Sequence, residues 1–338
     1  MHVTRRLGIA LILAALSCVV SCRKKNTSEA QAPSGPLEPR KVTGNPFLGV
    51  ALYWPPYNNA DQARRRIEQA KPDEAALIGK IADTPQGRWL GEWSGNVEVA
   101  ARNFTKSAND QGKVPLFIAY NIPNRDCGQH SAGGATQADE YRAWIRALAS
   151  AITAEGRAIV VLEPDALGHL TQCLDEAAQA ARLQLIRDAV ETLEALPGVS
   201  VYIDAGHSRW VPAQQMAERL RGAGVGTARG FALNTSIYIA DAELIAYGNE
   251  IVSYLGGNAH FIIDSSRNGN GPAPGDAWCN PPGRALGRPP AAIDDGSALD
   301  AFVWLKNPGE SDGSCNGGPP AGQWFHELAL ELARNASW

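Results

Sequence analysis

The stretch Ala158-Ile159-Val160-Val161-Leu162-Glu163-Pro164-Asp165 decides the fold. Its first five residues are apolar, three of them β-branched, and no polar residue interrupts them. That is the pattern of a strand buried on both faces. Two acids around a proline then end it. Pro164 has no N–H to give to a sheet ladder, so the strand stops there. Asp165 is left at the carboxyl end of a core strand, where parallel α/β folds keep their chemistry. Taken alone, the segment is equally compatible with Asp165 as the N-cap of a helix beginning at Ala166.

Six more segments read as strands on either side of it: 46–53, 114–120, 199–204, 230–233, 259–264 and 301–305. Amphipathic stretches separate most of them, at 60–70, 73–81, 96–109, 137–154, 174–196, 212–221, 241–255 and 324–333. Seven strands alternating with helices imply a parallel sheet. The strand ends carry Tyr53, Tyr120, Asp165, Asp204, Asn234, Asp264 and Lys306. A doubly wound sheet gathers its ligand groups at one switch point, whereas a barrel gathers them from all its strand ends. The even spread therefore predicts an α/β fold of the (β/α) barrel type, TIM-barrel-like, with about seven parallel strands. No glycine-rich nucleotide fingerprint follows the first strand.

Composition narrows the function. The net charge of −4 over 338 residues, with no basic run beyond the amino terminus, argues against nucleic acid as a partner. Residues 2–6 are basic, 7–20 are apolar but short for a membrane span, and Val19-Val20-Ser21-Cys22 follows. This reads as a lipoprotein signal peptide over 1–22, with Cys22 as the lipidated amino terminus. An ordinary signal peptide cut nearby is the alternative. In either case the chain is exported, to the bacterial cell envelope or the medium. Residues 23–44 read as a flexible tether and 45–338 as the catalytic domain. Export makes Cys127, Cys173, Cys279 and Cys315 disulfide candidates with three pairings open. Pairing chain neighbours would close two loops of moderate length. No CxxC spacing supports zinc, and His130 and His207 are isolated, so no metal is expected.

Nine tryptophans accompany these acids. Indole faces stack on flat ligands, sugar rings among them. Carboxylates on one rim suit glycoside hydrolysis, which needs a proton donor for the leaving oxygen. There is no GxSxG nucleophile elbow to favour acyl transfer.

The loop Tyr120-Asn-Ile-Pro-Asn-Arg-Asp-Cys-Gly-Gln-His-Ser-Ala-Gly-Gly134 and the segment 162–167 resemble the two signature motifs of glycoside hydrolase family 6, the inverting cellulases. Supporting matches follow at Asp204-Ala-Gly-His207, 264–269, Trp278-Cys-Asn280 and 306–313, so the resemblance runs from residue 45 to the end. It implies a distorted barrel that cleaves β-1,4-glucan with inversion, as a monomer and without a cofactor. It also implies roles for single residues. Asp165 would be the general acid. Asp126 would raise the proton affinity of Asp165 and arrange the water. Asp312 would be the base, kept ionised by Arg267 and Lys306, unless water relays the proton past Asp126. Tyr53, Tyr120, Ser131, His207, Trp210, Asn234, Trp278, Lys306 and Glu310 would bind sugar, supported by Arg125, Asp204, Asp264 and Arg267. The two cysteine-bounded segments are compact and the Cys127-to-Gly134 text is of the bacterial endoglucanase type. The expected activity is therefore that of an endoglucanase. A cellobiohydrolase of the same fold and a non-catalytic surface glycan-binding lipoprotein are the alternatives.

Overall fold

A computed structural model describes residues 44–338, together with Met1 and His2. The expected signal peptide, with Cys22, and the expected tether up to residue 43 lie outside the described residues.

Eight strands form one curled sheet in the order β1-β2-β3-β4-β5-β6-β8-β7. They are β1 (Arg88–Leu90), β2 (Leu116–Ala119), β3 (Ala158–Leu162), β4 (Val199–Asp204), β5 (Gly230–Leu233), β6 (His260–Asp264), β7 (Ala291–Ala292) and β8 (Leu299–Val303). All pair in parallel except β7, which runs antiparallel to β8. Among the described residues, eight α-helices cover the sheet: α1 (Asn59–Ile67), α2 (Pro72–Ala82), α3 (Val97–Asn109), α4 (Ala138–Glu155), α5 (Glu176–Glu194), α6 (Ala213–Gly222), α7 (Asp241–Tyr254) and α8 (His326–Asn335).

β3 behaves as its composition dictates. Ile159 and Val161 point into the barrel with Leu116, Ile118, Tyr202, Ala232, Ile262, Ala301 and Val303. Ala158, Val160 and Leu162 point outward and pack with apolar residues of α4, α5 and α6. Period-two alternation thus supplies two cores from one apolar run. A buried ion pair closes the bottom of the barrel: Asp300 accepts from Arg229 at 2.7 and 2.8 Å and from the Tyr202 hydroxyl at 2.6 Å.

Three details depart from the sequence expectation. Residues 46–53 do not form a strand; they make a single parallel bridge, Leu52 to Val114. β1 is a strand that the pattern hid, because three residues are too few to show a period. β7 is likewise only two residues long. The first two departures are connected. Val114 exchanges hydrogen bonds with Ala51 and Tyr53, and Tyr120 N–H donates to the Leu90 carbonyl, all from the same edge of β2. One strand position is therefore shared between a lower piece (51–53) and an upper piece (β1). The gap to β8 is bridged by Gly87 N–H to the Trp304 carbonyl at 2.8 Å and Trp89 Nε1 to the Leu305 carbonyl at 2.9 Å. A Cβ at Gly87 would lie 1.9 Å from Ile118 Cδ1 and 3.2 Å from the Leu305 carbonyl oxygen, so any side chain here must displace Ile118 from the barrel interior.

Cys127–Cys173 and Cys279–Cys315 are bonded, with Cα atoms 5.7 and 6.1 Å apart. Each closes a loop of the carboxyl rim, and the chain-entropy model gives about 4 kcal/mol for loops of this size.

Candidate active site

One cleft of about 1130 Å³ crosses the carboxyl ends of the strands. Its walls come from residues 54–62, 81–93, 120–132, 165–172, 207–210, 235–239, 272–278, 306–312 and 321–324. Six of the nine tryptophans line it: Trp54, Trp89, Trp93, Trp210, Trp278 and Trp324. Core packing alone would not gather them there, so the cleft presents flat apolar faces to a ligand.

The three aspartates expected to be catalytic, Asp126, Asp165 and Asp312, all line this cleft. Asp165 follows β3 with φ of +69°, and Glu163 with +52°; such non-glycine conformations concentrate at functional sites. Asp165 is not a helix cap. Its N–H donates to Asp204 Oδ1 at 3.1 Å, and its Oδ2 accepts from the Tyr120 hydroxyl at 3.3 Å. Burial first, then the nearby Asp204 carboxylate and more weakly Asp126, push its carboxyl up to about 7. Asp204 thus joins Asp126 in the part that the family resemblance assigned to Asp126. Asp204 is itself buried and raised to about 6, held by Thr235 Oγ1 at 2.6 Å and Gly206 N–H at 3.0 Å.

Asp126 sits across from Asp165 in the 120–134 loop. Its Oδ2 accepts from Ser131 N–H at 2.7 Å, and its Oδ1 lies 3.4 Å from His169 Nε2. Arg125 shapes this loop with all five of its donors: Ser131, Tyr120 and Ala132 carbonyls and both oxygens of Glu92. Its guanidinium also lies 4.6 Å from the Tyr120 ring centroid and 4.9 Å from that of Trp93. Glu163 anchors the loop from below, accepting from Asn121 and Ile122 N–H at 2.9 and 3.0 Å. Burial raises its carboxyl to about 7.

Asp312 has the opposite environment. Burial alone would raise it, but Arg267 at 2.9 Å and Lys306 at 3.2 Å outweigh burial and hold it below the usual carboxylate range. Tyr238 Oη and Asn280 N–H add two more donors at 3.3 and 3.1 Å. The cleft thus offers one carboxyl that keeps its proton near neutrality and one that does not.

The remaining expected sugar ligands divide. Tyr120, Ser131, His207, Trp210, Trp278, Lys306 and Glu310 line the cleft. Glu310 accepts from Asn59 Nδ2 at 2.7 Å, and burial pushes the His207 imidazole down to about 4. Tyr53 and Asn234 do not line it. Tyr53 is buried edge-on against Phe104, 4.9 Å between centroids, and its neighbours Trp54 and Tyr57 face the cleft instead. Asn234 is fully buried; its amide accepts from Ile239 N–H and donates to the Asp264 carbonyl. Asp264 and Arg267 are also buried behind the wall, as supports. Asp264 accepts from the N–H groups of Ser236, Ser266, Leu305 and Lys306.

A family model for glycosyl hydrolases family 6 matches residues 47–336, nearly the whole described chain. The chain belongs to glycosyl hydrolases family 6. It is 47% identical over 279 residues to endoglucanase A of Cellulomonas fimi, a match covering 82% of this chain and 60% of that protein. The endoglucanase Cel6 of Mycobacterium tuberculosis, solved with methyl-cellobiosyl-4-deoxy-4-thio-β-D-cellobioside, superposes with a TM-score of 0.81 at 43% identity. That likeness covers 86% of this chain and 99% of that one. The Aspergillus fumigatus protein named "Probable 1,4-beta-D-glucan cellobiohydrolase C" is 30% identical over 365 positions, covering 87% of this chain and 78% of its own length. Since 87% of 338 is roughly 294, about 70 of those 365 positions face no residue here; 82% of 338 is roughly 277, which nearly fills the 279 shared with the Cellulomonas enzyme.

Within this family 6 site, sequence reasoning missed His169, Glu163, Trp89 and Trp93. The Trp-Leu pair at 89–90 belongs to a three-residue strand, and His169 lies four residues past Asp165 in a turn without periodicity. A signal for His169 was its separation from Asp165, one turn along a chain already confined by Cys173.

The buried acids predict how stability follows pH. Glu163, Asp165 and Asp204 all bind protons more tightly folded than unfolded. Their unfavourable burial is absent while they are protonated in both states, below about pH 4. It grows as the pH rises through the folded values near 6 and 7. Thermal unfolding should therefore show Tm falling between pH 5 and pH 8. A Tm flat or rising over that interval would mean these carboxyls are not held protonated.

Proposed function

We propose that this chain is an endo-β-1,4-glucanase that hydrolyses internal bonds of cellulose or a related β-1,4-glucan with inversion. The observation that carries the proposal is the division of labour among acids in one tryptophan-lined cleft. Asp165, protonated near neutrality, gives its proton to the glycosidic oxygen as the bond to the anomeric carbon breaks. Water attacks that carbon from the opposite face. Its proton passes to Asp312, directly or through a second water beside Asp126 and Ser131. Arg267 and Lys306 keep Asp312 ionised to receive it. Tyr120 braces the Asp165 carboxyl beside the reacting sugar, while Trp210 and Trp278 stack on the chain and His207, Lys306 and Glu310 bind hydroxyls.

Endo rather than exo attack is supported by the roughly 70 positions that the Aspergillus fumigatus cellobiohydrolase relative has and this chain lacks. We place these missing positions in the cleft rim, where shorter segments would leave the cleft open to mid-chain binding. The catalytic domain spans 45–338 and acts as a monomer. Two disulfides fit an oxidising compartment and so support export. In this reading the 1–22 leader directs export and Cys22 carries the lipid.

The test is carboxymethylcellulose. Viscosity should collapse while few reducing ends are released, and NMR of fresh cello-oligosaccharide products should show the α-anomer. Slow thinning with steady cellobiose release would favour a cellobiohydrolase. An initial β-anomer would end the inverting mechanism.

A further inference from the structure

His169 is the one ionisable cleft residue beside both Asp126 and Asp165 to which the proposed mechanism gives no part. Both its ring nitrogens are engaged. Nδ1 lies 2.6 Å from Gln172 Oε1, and Nε2 lies 3.4 Å from Asp126 Oδ1. An amide oxygen only accepts, so Nδ1 carries a hydrogen. Asp126 Oδ1, when ionised, has only lone pairs to offer, and Nε2 faces it at ion-pair distance. An imidazolium, with hydrogen on both nitrogens, satisfies the two contacts together. The ring is edge-on to Trp210, 4.7 Å between centroids, and the backbone N–H of His169 donates to the Asp165 carbonyl at 2.8 Å. Gly168 leaves room for that indole, because a Cβ there would stand 2.5 Å from it. The disulfide Cys127–Cys173 joins the residues next to Asp126 and Gln172, so a covalent bond holds the two ends of this contact together.

We propose that His169 is a positioning residue of this site: clamped by Gln172, it pairs as a cation with Asp126, fixes that carboxylate against Ser131, and offsets its charge beside Asp165. Without this partner, Asp126 would face Asp165 uncompensated, and two carboxyls would compete for one proton. The ionisable groups facing the ring are Asp126 from the 120–134 loop and Asp165 from its own turn; the loop after β4 contributes only the Trp210 indole. Both acids favour the charged ring and raise its proton affinity, although burial opposes them. In return the ring favours the ionised form of Asp165.

The inference rests on the glucanase reading, and the experiment separates the two. Wild type, His169→Asn and His169→Phe are assayed on cellotetraose from pH 4 to 9, with Asp165→Asn as control. Removing the cation should move the alkaline limb of kcat/KM to higher pH by about one unit, with a fall in kcat of about tenfold. Profiles that superimpose after scaling would overturn the proposal and leave His169 a packing residue. Inactive wild type, or active Asp165→Asn, would instead overturn the glucanase reading. ¹⁵N NMR of the wild-type ring needs no substrate and no variant that must fold. A protonation midpoint above the ordinary histidine value, lost in Asp126→Asn, supports the pair; a neutral ring at pH 6 overturns it.

Discussion

Asp165→Asn should slow hydrolysis of cellotetraose by about 10²- to 10⁴-fold, the usual worth of a general acid. The same variant should cleave 2,4-dinitrophenyl β-cellotrioside at a rate much nearer to wild type, because dinitrophenolate departs without a proton. The substitution is conservative in shape. Asparagine tolerates the φ of +69° at this position, and the N–H that donates to Asp204 remains. Folding should survive, and Tm at pH 8 should not fall, since the variant removes a carboxyl that burial already penalises. The pH profile gives a second reading of the same residue. Wild type should lose activity on cellotetraose as the pH rises through about 7, and the activated substrate should not show that limb in the variant. Equal losses on both substrates would mean that Asp165 orients the sugar but does not protonate it. No loss on either would remove Asp165 from the mechanism.

Arg267→Met should be the most damaging change to stability in the site. Arg267 is fully buried, bonded to Asp312 and the Ser236 carbonyl, and lies 4.4 Å from the Tyr238 ring centroid. Removing it leaves the Asp312 carboxylate in the interior with Lys306 as its only cationic partner. Breaking a buried pair in this way typically costs about 3–5 kcal/mol. For a domain of this size that is a fall in Tm of several degrees. The loss should shrink below about pH 4, where Asp312 is protonated in the variant and the uncompensated charge disappears. Arg267→Met with Asp312→Asn should recover much of the stability, because the one charge then left without a partner is the Lys306 ammonium, which reaches the cleft, yet remain inactive on glucan. A double variant that regains activity would show that Asp312 does not receive the proton. A single variant as stable as wild type would show that Lys306 alone suffices.

Much of this site could be read from residue order. The apolar run 158–162 ending at Pro164 announced a core strand with an acid at its end, because burial on both faces leaves no room for polar residues. The motif around Arg125 and Asp126 was legible because a disulfide cysteine, a base and an acid crowd a glycine-rich loop. Tyr53 was misplaced for a physical reason. Strand periodicity alternates sides, and once 46–53 fails to be a strand the alternation no longer says which aromatic faces out. Asn234 was misplaced because a polar residue at a strand end can bind ligand or bind backbone, and its φ of +69° is visible only in three dimensions. The part that Asp204 takes beside Asp126 in raising the Asp165 proton affinity was also hidden. It depends on adjacency of β3 and β4, which residue order alone does not measure.

Asp264 carries one last implication. Its carboxylate collects amides from the segments after β5, β6 and β8, so those three stretches share a single anchor. Grafting any one of them from a relative would disturb the other two, and Asp312 with them. Residues 54–62 and 272–278 hang free of that anchor. Engineering of glucan preference should begin at those two stretches, where parts can be exchanged singly, and treat the Asp264-bound trio as one cassette.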